Sequence, residues 1–312
     1  MVSFVVIAYN EAANIGPALA SISQLAGVGA HEIIVVNDGS RDGTAGVVAR
    51  LAARNPQIRL IDLPANRGRG YARRTGIAAA RGGLVATVDA DIVLPADWLE
   101  RSRAALAGHD AVGGTAVPDG DVAYLYRRFR LTPRAVGATT TVAGSNGLYR
   151  RGVFDVTGFD GTLREGEDSA LNQAMSRLGL STATVPGLLV QHRENKPFGT
   201  SLRWLFETGQ GATRQLITYR QVRQPDLAAG AFAVSVAAGL LTAATRRPLL
   251  GAVIPAGFVL AASVQHVRSR FRTPPRDWPR LAPAVAADAA LLTAYFAGRL
   301  AGLAAVRRRT AH

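Results

Sequence analysis

Asp89 and Asp91 stand two positions apart at the end of the apolar run Leu84-Val85-Ala86-Thr87-Val88. Such a run reads as a buried β-strand, and side chains at i and i+2 of an extended chain point to the same side. Two carboxylates so placed suit a hard divalent cation, Mg2+ or Mn2+, which completes its shell with substrate phosphates and water. An Asp-x-Asp pair also caps helices and shapes turns. Its meaning therefore depends on which other polar residues the fold brings to the same place.

The elements that must position them alternate along the first half of the chain. Strand-like runs span 2–7, 32–36, 58–63 and 84–88, and helix-like stretches span 12–25, 44–54 and 68–80. Strands that are apolar on both faces and spaced by helices predict a parallel sheet covered on both sides. Ligands of such sheets bind beyond the carboxyl ends of the strands. Tyr9, Asn10 and Glu11, then Asn37 and Asp38, then Asp89 and Asp91 all fall at those ends. The stretch 112–147 is richer in Thr, Gly and Val and is expected to add strands and an acceptor-side loop. Residues 169–178 read as a helix, and 182–190 as a further strand.

The 312 residues carry 36 Lys and Arg against 22 Asp and Glu, a formal charge of +14. A basic excess of this kind suits nucleic acid, an anionic membrane or phosphate-bearing substrates. No Cys/His finger and no interleaving of aromatic with basic residues is present, so a nucleic-acid partner is not expected. Cysteine is absent, which excludes disulfides and thiolate metal sites and fits a reducing compartment. No charged segment precedes an apolar one at the N-terminus, so no cleavable signal peptide is expected.

Composition shifts after about Pro225. Residues 227–244 and 248–264 are free of charge and sit near the lower length limit for crossing a bilayer. Arg246 and Arg247 separate them, and Arg268, Arg270 and Arg272 follow the second run. A third run, 281–306, contains Asp288 and Arg299. These runs predict a membrane-embedded or membrane-lying module of two to three helices. A crossing third run would place Arg307-Arg308-Arg309 against the positive-inside rule. An interfacial third helix or a re-entrant first pair would remove that conflict. A buried helical hairpin of a soluble domain is the alternative.

Taken together, Val5-Val6-Ile7-Ala8-Tyr9-Asn10-Glu11, Asn37-Asp38-Gly39-Ser40, Asn66-Arg67-Gly68-Arg69-Gly70-Tyr71-Ala72-Arg73, Asp89-Ala90-Asp91 and Glu167-Asp168 resemble the family 2 glycosyltransferases. The resemblance covers roughly residues 1–215. It implies a GT-A fold with a mixed, mostly parallel central sheet in a catalytic domain over 1–215, and a hydrophobic helical region over 216–312. It implies an inverting transfer from a UDP-, GDP- or dTDP-sugar to a lipid-linked or glycan acceptor, at the cytoplasmic face of the cell membrane. By the same resemblance, Asp91 is a metal ligand and Asp89 a metal or ribose contact. Tyr9, Glu11 and Asp38 face the nucleotide, Asn37 standing where the family has an acid. Arg69 and Arg73 meet the phosphates, and Ser145 and Asn146 line the donor sugar pocket. Asp168 becomes the general base, supported by Glu167. His192 is a further candidate for the diphosphate.

The bare residues leave other roles open, since Asp42 and Asp168 also suit helix caps and Arg69 and Arg73 also suit a solvated surface. Arg203-Trp204 is similar to part of a signature of processive synthases, but Thr200 stands where that signature has Gln, which favours transfer of single sugars. A dinucleotide-binding oxidoreductase is a poor fit, because Gly68-x-Gly70 follows the third strand and Arg73 occupies a fingerprint glycine position. A polyprenyl-phosphate glycosyl synthase and a non-catalytic nucleotide- or polymer-binding membrane subunit remain the competing readings.

Overall fold

In a computed structural model of the chain, residues 1–118, 132–133, 141–164, 166–193, 198–219, 222, 224–272 and 278–309 are described. The chain divides into two compact units. The first comprises Met1–Gly120 with Ala135–Glu194, and the second Asp121–Arg134 with Asn195–His312. The boundary near residue 215 implied by the resemblance falls inside a continuous helix of the second unit, Phe198–Tyr219. That helix carries Arg203, Glu207 and Arg214, so the hydropathy change comes after the structural division.

The first unit is built on one sheet ordered β3-β2-β1-β4-β8-β6-β9-β5. Its strands are β1 (Val2–Ala8), β2 (His31–Asn37), β3 (Ile58–Asp62), β4 (Leu84–Asp89), β5 (Ile92–Val93), β6 (Ala111–Pro118), β8 (Asn146–Arg150) and β9 (Thr182–His192). β1 pairs in parallel with both β2 and β4, β2 with β3, and β6 with β9. β8 runs antiparallel between β4 and β6, and β5 antiparallel to β9.

Why β1 is buried along its whole length follows from the period of two. Val2, Phe4, Val6 and Ala8 pack on one side, with Ile15, Leu19 and Ile22 of the helix Ile15–Ser23 and with Trp98 and Leu99 of the helix Trp98–Leu106. Val5 and Ile7 pack on the other, with Ala72 and Ile77 of the helix Arg69–Ala79 and with Leu171 and Met175 of the helix Glu167–Arg177. Two separate cores thus clamp the sheet, each fully buried aliphatic or aromatic side chain contributing about 1.5–3 kcal/mol. The in-register pairs Ala8 with Asn37 and Ile7 with Asp89 bring the three strand ends to one rim.

The second unit contains β7 (Thr132–Pro133), antiparallel to β10 (Phe271–Arg272). Its helices are Phe198–Tyr219, Gln224–Ala244, Pro248–Arg270 and Trp278–Arg309. Among the described residues, three segments are long and apolar enough to cross a membrane: Asp226–Ala244, Pro248–Arg268 and Ala282–Ala304. Phe232 stacks on Phe296 at 4.9 Å, and Phe258 lies 6.0 Å from Phe232. The acceptor-side loop expected within 112–147 falls largely outside the described residues.

Candidate active site

The rim is assembled from the ends of β1, β2 and β4 and from one loop held against them. At the end of β2, Asp38 is buried, and its carboxylate accepts the backbone N–H groups of Arg67 at 2.7 Å and Gly68 at 2.8 Å. Asp38 therefore fixes the loop Asn66–Gly68. Gly68 adopts φ 95°, and a Cβ there would lie 2.6 Å from the Cα of Arg164, so only glycine allows this approach. The loop is held from its other side as well. Arg69 N–H donates to Arg164 O at 3.3 Å, Gly70 N–H to Leu163 O at 3.1 Å, and the Arg164 guanidinium to Asn66. Asn37 donates to Asp62 Oδ1 at 2.7 Å and accepts from Ser40, so this amide ties β2 to β3.

After β1 the chain turns sharply at Asn10, which has φ 56°. The turn is held by Asn10 N–H donating to Ser40 Oγ at 2.8 Å and Arg41 N–H donating to Asn10 Oδ1 at 2.8 Å. Glu11 N–H donates to Thr44 Oγ1 at 2.9 Å, and Asn14 donates to the Glu11 carboxylate at 2.8 Å. Asp42 accepts from Ala12 N–H at 3.1 Å and from Thr44 N–H at 3.0 Å. Partial burial would raise the Asp42 carboxyl, but these bonds outweigh it and hold it below the ordinary range. Tyr9 is exposed beside them.

Asp89 and Asp91 diverge to different partners. Asp89 Oδ1 lies 2.5 Å from Arg73 Nη2. Asp91 Oδ2 lies 3.0 Å from His192 Nε2. The β5–β9 pairing explains the second contact, because it sets His192 opposite Ile92, and Arg193 N–H donates to Asp91 O at 2.8 Å.

Arg73 does not take the solvated surface position that is the alternative to a phosphate contact. It is 2% exposed and bridges Asp89 to Glu167, with its guanidinium 5.4 Å from the Phe159 ring. Burial works to lower its pKa, but Asp89, Glu167 and Asp168 overcome this and push it further above the usual guanidinium range. Glu167 is also buried, and burial raises its carboxyl above the ordinary range against the pull of Arg73. The Arg73 bridge thus brings the first turn of the helix Glu167–Arg177, where Asp168 sits, to the end of β4. Asp168 is half-buried, and one of its oxygens accepts Ser169 N–H at 2.7 Å.

Ser145 O accepts Asp89 N–H at 3.1 Å, placing Ser145 at the same rim. Asn146 is fully buried, and its Oδ1 accepts Gly114 N–H at 2.6 Å, which stitches β8 to β6. Arg69 is exposed at the start of its helix, close enough to act electrostatically on Glu167. Glu165, next to this cluster in sequence, lies outside the described residues.

Sequence reasoning missed Arg164 and Asn66 as the clasp of the loop, and it missed the pairing of His192 with Asp91. A histidine at the end of a strand was the signal available for the latter. Asp91 and His192 offer an oxygen and a nitrogen donor at one point. No third His, Cys, Asp or Glu completes a ligand set among the described residues. The Asp91 carboxylate is of the kind that suits Mn2+ or Mg2+, while the imidazole is a softer donor that these cations do not require.

Residues 3–165 match the family described as Glycosyl transferase family 2. The chain is 38% identical over 130 residues to dolichyl-phosphate beta-glucosyltransferase ALG5C of Trichomonas vaginalis, covering 39% of each chain. It is 46% identical over 109 residues to the succinoglycan biosynthesis protein ExoO of Rhizobium meliloti, covering 34% of this chain and 30% of that protein. The match thus spans well under half the length of these two relatives. Among solved structures, the mannosyltransferase PcManGT from Pyrobaculum calidifontis, in complex with GDP-Man and Mn2+, superposes with a TM-score of 0.60 at 22% identity. That superposition covers 97% of this chain and 86% of the other.

Proposed function

The chain belongs to glycosyl transferase family 2, and from its site we propose that it transfers a sugar, with inversion, from a nucleoside-diphosphate sugar to a lipid-linked or glycan acceptor at the cytoplasmic face of a membrane. The observation that carries this reading is the Arg73 bridge from Asp89 to Glu167. It joins the acidic end of β4 to the helix turn that bears Asp168.

In this reading Tyr9, Glu11 and Asp38 bind the nucleoside, and Asp89 meets the ribose. Arg69 faces the phosphates, and Ser145 lines the sugar pocket. Asp91, with His192 beside it, holds Mn2+ or Mg2+. The cation, when bound, supplies Lewis-acid stabilisation of the leaving diphosphate. Asp168 takes the proton of the acceptor hydroxyl as the new bond to the anomeric carbon forms. The bond from that carbon to the diphosphate breaks, and the nucleoside diphosphate departs with its electron pair. Glu167, held by Arg73, keeps the turn in place.

A second reading has a polyprenyl phosphate as the acceptor, and the relative named for dolichyl phosphate favours it. Such an acceptor is already ionised and needs no strong base. Purified protein with Mn2+ would be given UDP-, GDP- and dTDP-sugars in turn, with either a polyprenyl phosphate or glycan acceptors. Release of nucleoside diphosphate with one donor, and a glycosylated acceptor, is the expected result. Nucleotide binding with neither transfer nor hydrolysis for any donor would instead identify a non-catalytic subunit.

A further inference from the structure

We infer that only two helices of the second unit cross the bilayer, and that the helix Trp278–Arg309 lies along the membrane face from which the first crossing helix sets out. This rests on the membrane reading above.

The helices Gln224–Ala244 and Pro248–Arg270 form an antiparallel hairpin. Gly239 meets Gly251 so closely that a Cβ on Gly239 would lie 2.4 Å from the Gly251 carbonyl oxygen. Seven positions away on each helix (239 to 232, 251 to 258), Phe232 faces Phe258. Continuing that register sets Asp226 level with residue 264, so Asp226 and His266 occupy one end of the hairpin.

The two ionic side chains within the apolar stretch Ala282–Ala304 of the last helix attach at that same end. Asp288 binds His266 at 2.7 Å, and Arg299 binds Asp226. Asp288 and Arg299 are eleven positions apart (288 to 299), about 16 Å along a helix at 1.5 Å per residue. A helix crossing beside the hairpin would separate its two ionic anchors by that depth; instead both ionic anchors meet the end of the hairpin, and Phe296 between them reaches from there to Phe232 and Phe258.

An independent argument comes from the helix Phe198–Tyr219. It runs alongside the last helix at very close range. A Cβ on Gly298 would lie 2.0 Å from Phe206 O, and one on Gly302 would lie 2.9 Å from Thr213 Cβ. Thr213 Oγ1 donates to Arg299 O at 2.9 Å. Yet this neighbour exposes Arg203, Glu207 and Arg214, charges that hydrocarbon disfavours strongly. The half of the last helix that it accompanies therefore belongs in the headgroup region.

Charge agrees. With the last helix interfacial, Arg268, Arg270, Arg272, Arg280 and Arg307 to Arg309 share one face, against Arg246 and Arg247 on the other. That distribution satisfies the positive-inside rule, which a third crossing would break.

The chain has no cysteine, so single cysteines report sidedness directly. Arg54→Cys in the first unit, Arg247→Cys in the hairpin turn and Thr310→Cys in the tail would each be exposed to a membrane-impermeant maleimide, in intact and in lysed bacterial cells. The expected result is that Thr310→Cys behaves as Arg54→Cys does, protected until lysis, while Arg247→Cys labels in intact cells. Thr310→Cys siding with Arg247→Cys overturns the inference. Arg247→Cys siding with Arg54→Cys shows that the hairpin does not cross, and the membrane reading falls with it.

Discussion

Asp89 and Glu167 are 78 positions apart in the chain (89 to 167), and a single buried guanidinium, that of Arg73, bonds to both. Removing one member of a buried ion network leaves the others uncompensated, at a cost of about 3–5 kcal/mol. Arg73→Ala is expected to lower the melting temperature of the purified protein sharply. Arg73→Lys keeps the charge but not the fork and should recover part of the loss. Circular dichroism melts of the three proteins decide it, and an unshifted Arg73→Ala would show that the bridge does not hold the rim.

Asp91 and His192 carry the second contact. Replacing either with Ala is expected to weaken Mn2+-dependent nucleotide binding by about 10–100-fold, the range seen when a metal site loses a supporting group. Titration calorimetry with and without Mn2+ measures it. Unchanged affinity in both variants would remove them from the cation site.

Asp168→Asn is expected to bind donor as the parent does, while kcat falls by about 100- to 10,000-fold. Steady-state kinetics with a hydroxyl acceptor separates the two effects. Transfer to a polyprenyl phosphate surviving in the same variant would favour that acceptor.

Asp42 gives the fold a pH dependence of known sign. Its pKa in the folded chain lies below the ordinary value of 3.8. The stability it contributes is therefore present above that value and lost as pH falls through the lower folded one. Asp42 is exposed, so solvent screening keeps the effect small. Asp42→Asn should flatten the drop in melting temperature below pH 4, and an identical acid profile would count against the turn it holds.

Much of the scaffold could be read directly from local pattern. The apolar runs at 2–7, 32–36 and 84–88 became β1, β2 and β4 with ends shifted by one residue, because a two-sided buried strand leaves an unbroken hydrophobic signature. The helix expected from Ala12 begins at Ile15. The left-handed turn at Asn10 and the bonds to Ser40, Thr44 and Asp42 delay it, and those bonds span about thirty positions. The insertion of β8 between β4 and β6 carried no signal, since Thr- and Gly-rich segments have no strong period. Arg73 is expected from sequence either to meet the phosphates or to sit on a solvated surface, and nothing local marks it as buried. Only the distant Glu167 explains why so costly a side chain is inside. His192 and Asp91 likewise meet through a two-residue strand too short for periodicity to mark.

Arg73 has one more effect. A guanidinium sealed among three acids stays protonated at every pH at which the chain remains folded. The electric field it casts on Asp89 is therefore a constant of the protein. Any rise or fall of turnover with acidity must originate in other groups, and a titration of rate reads those groups against an unvarying background.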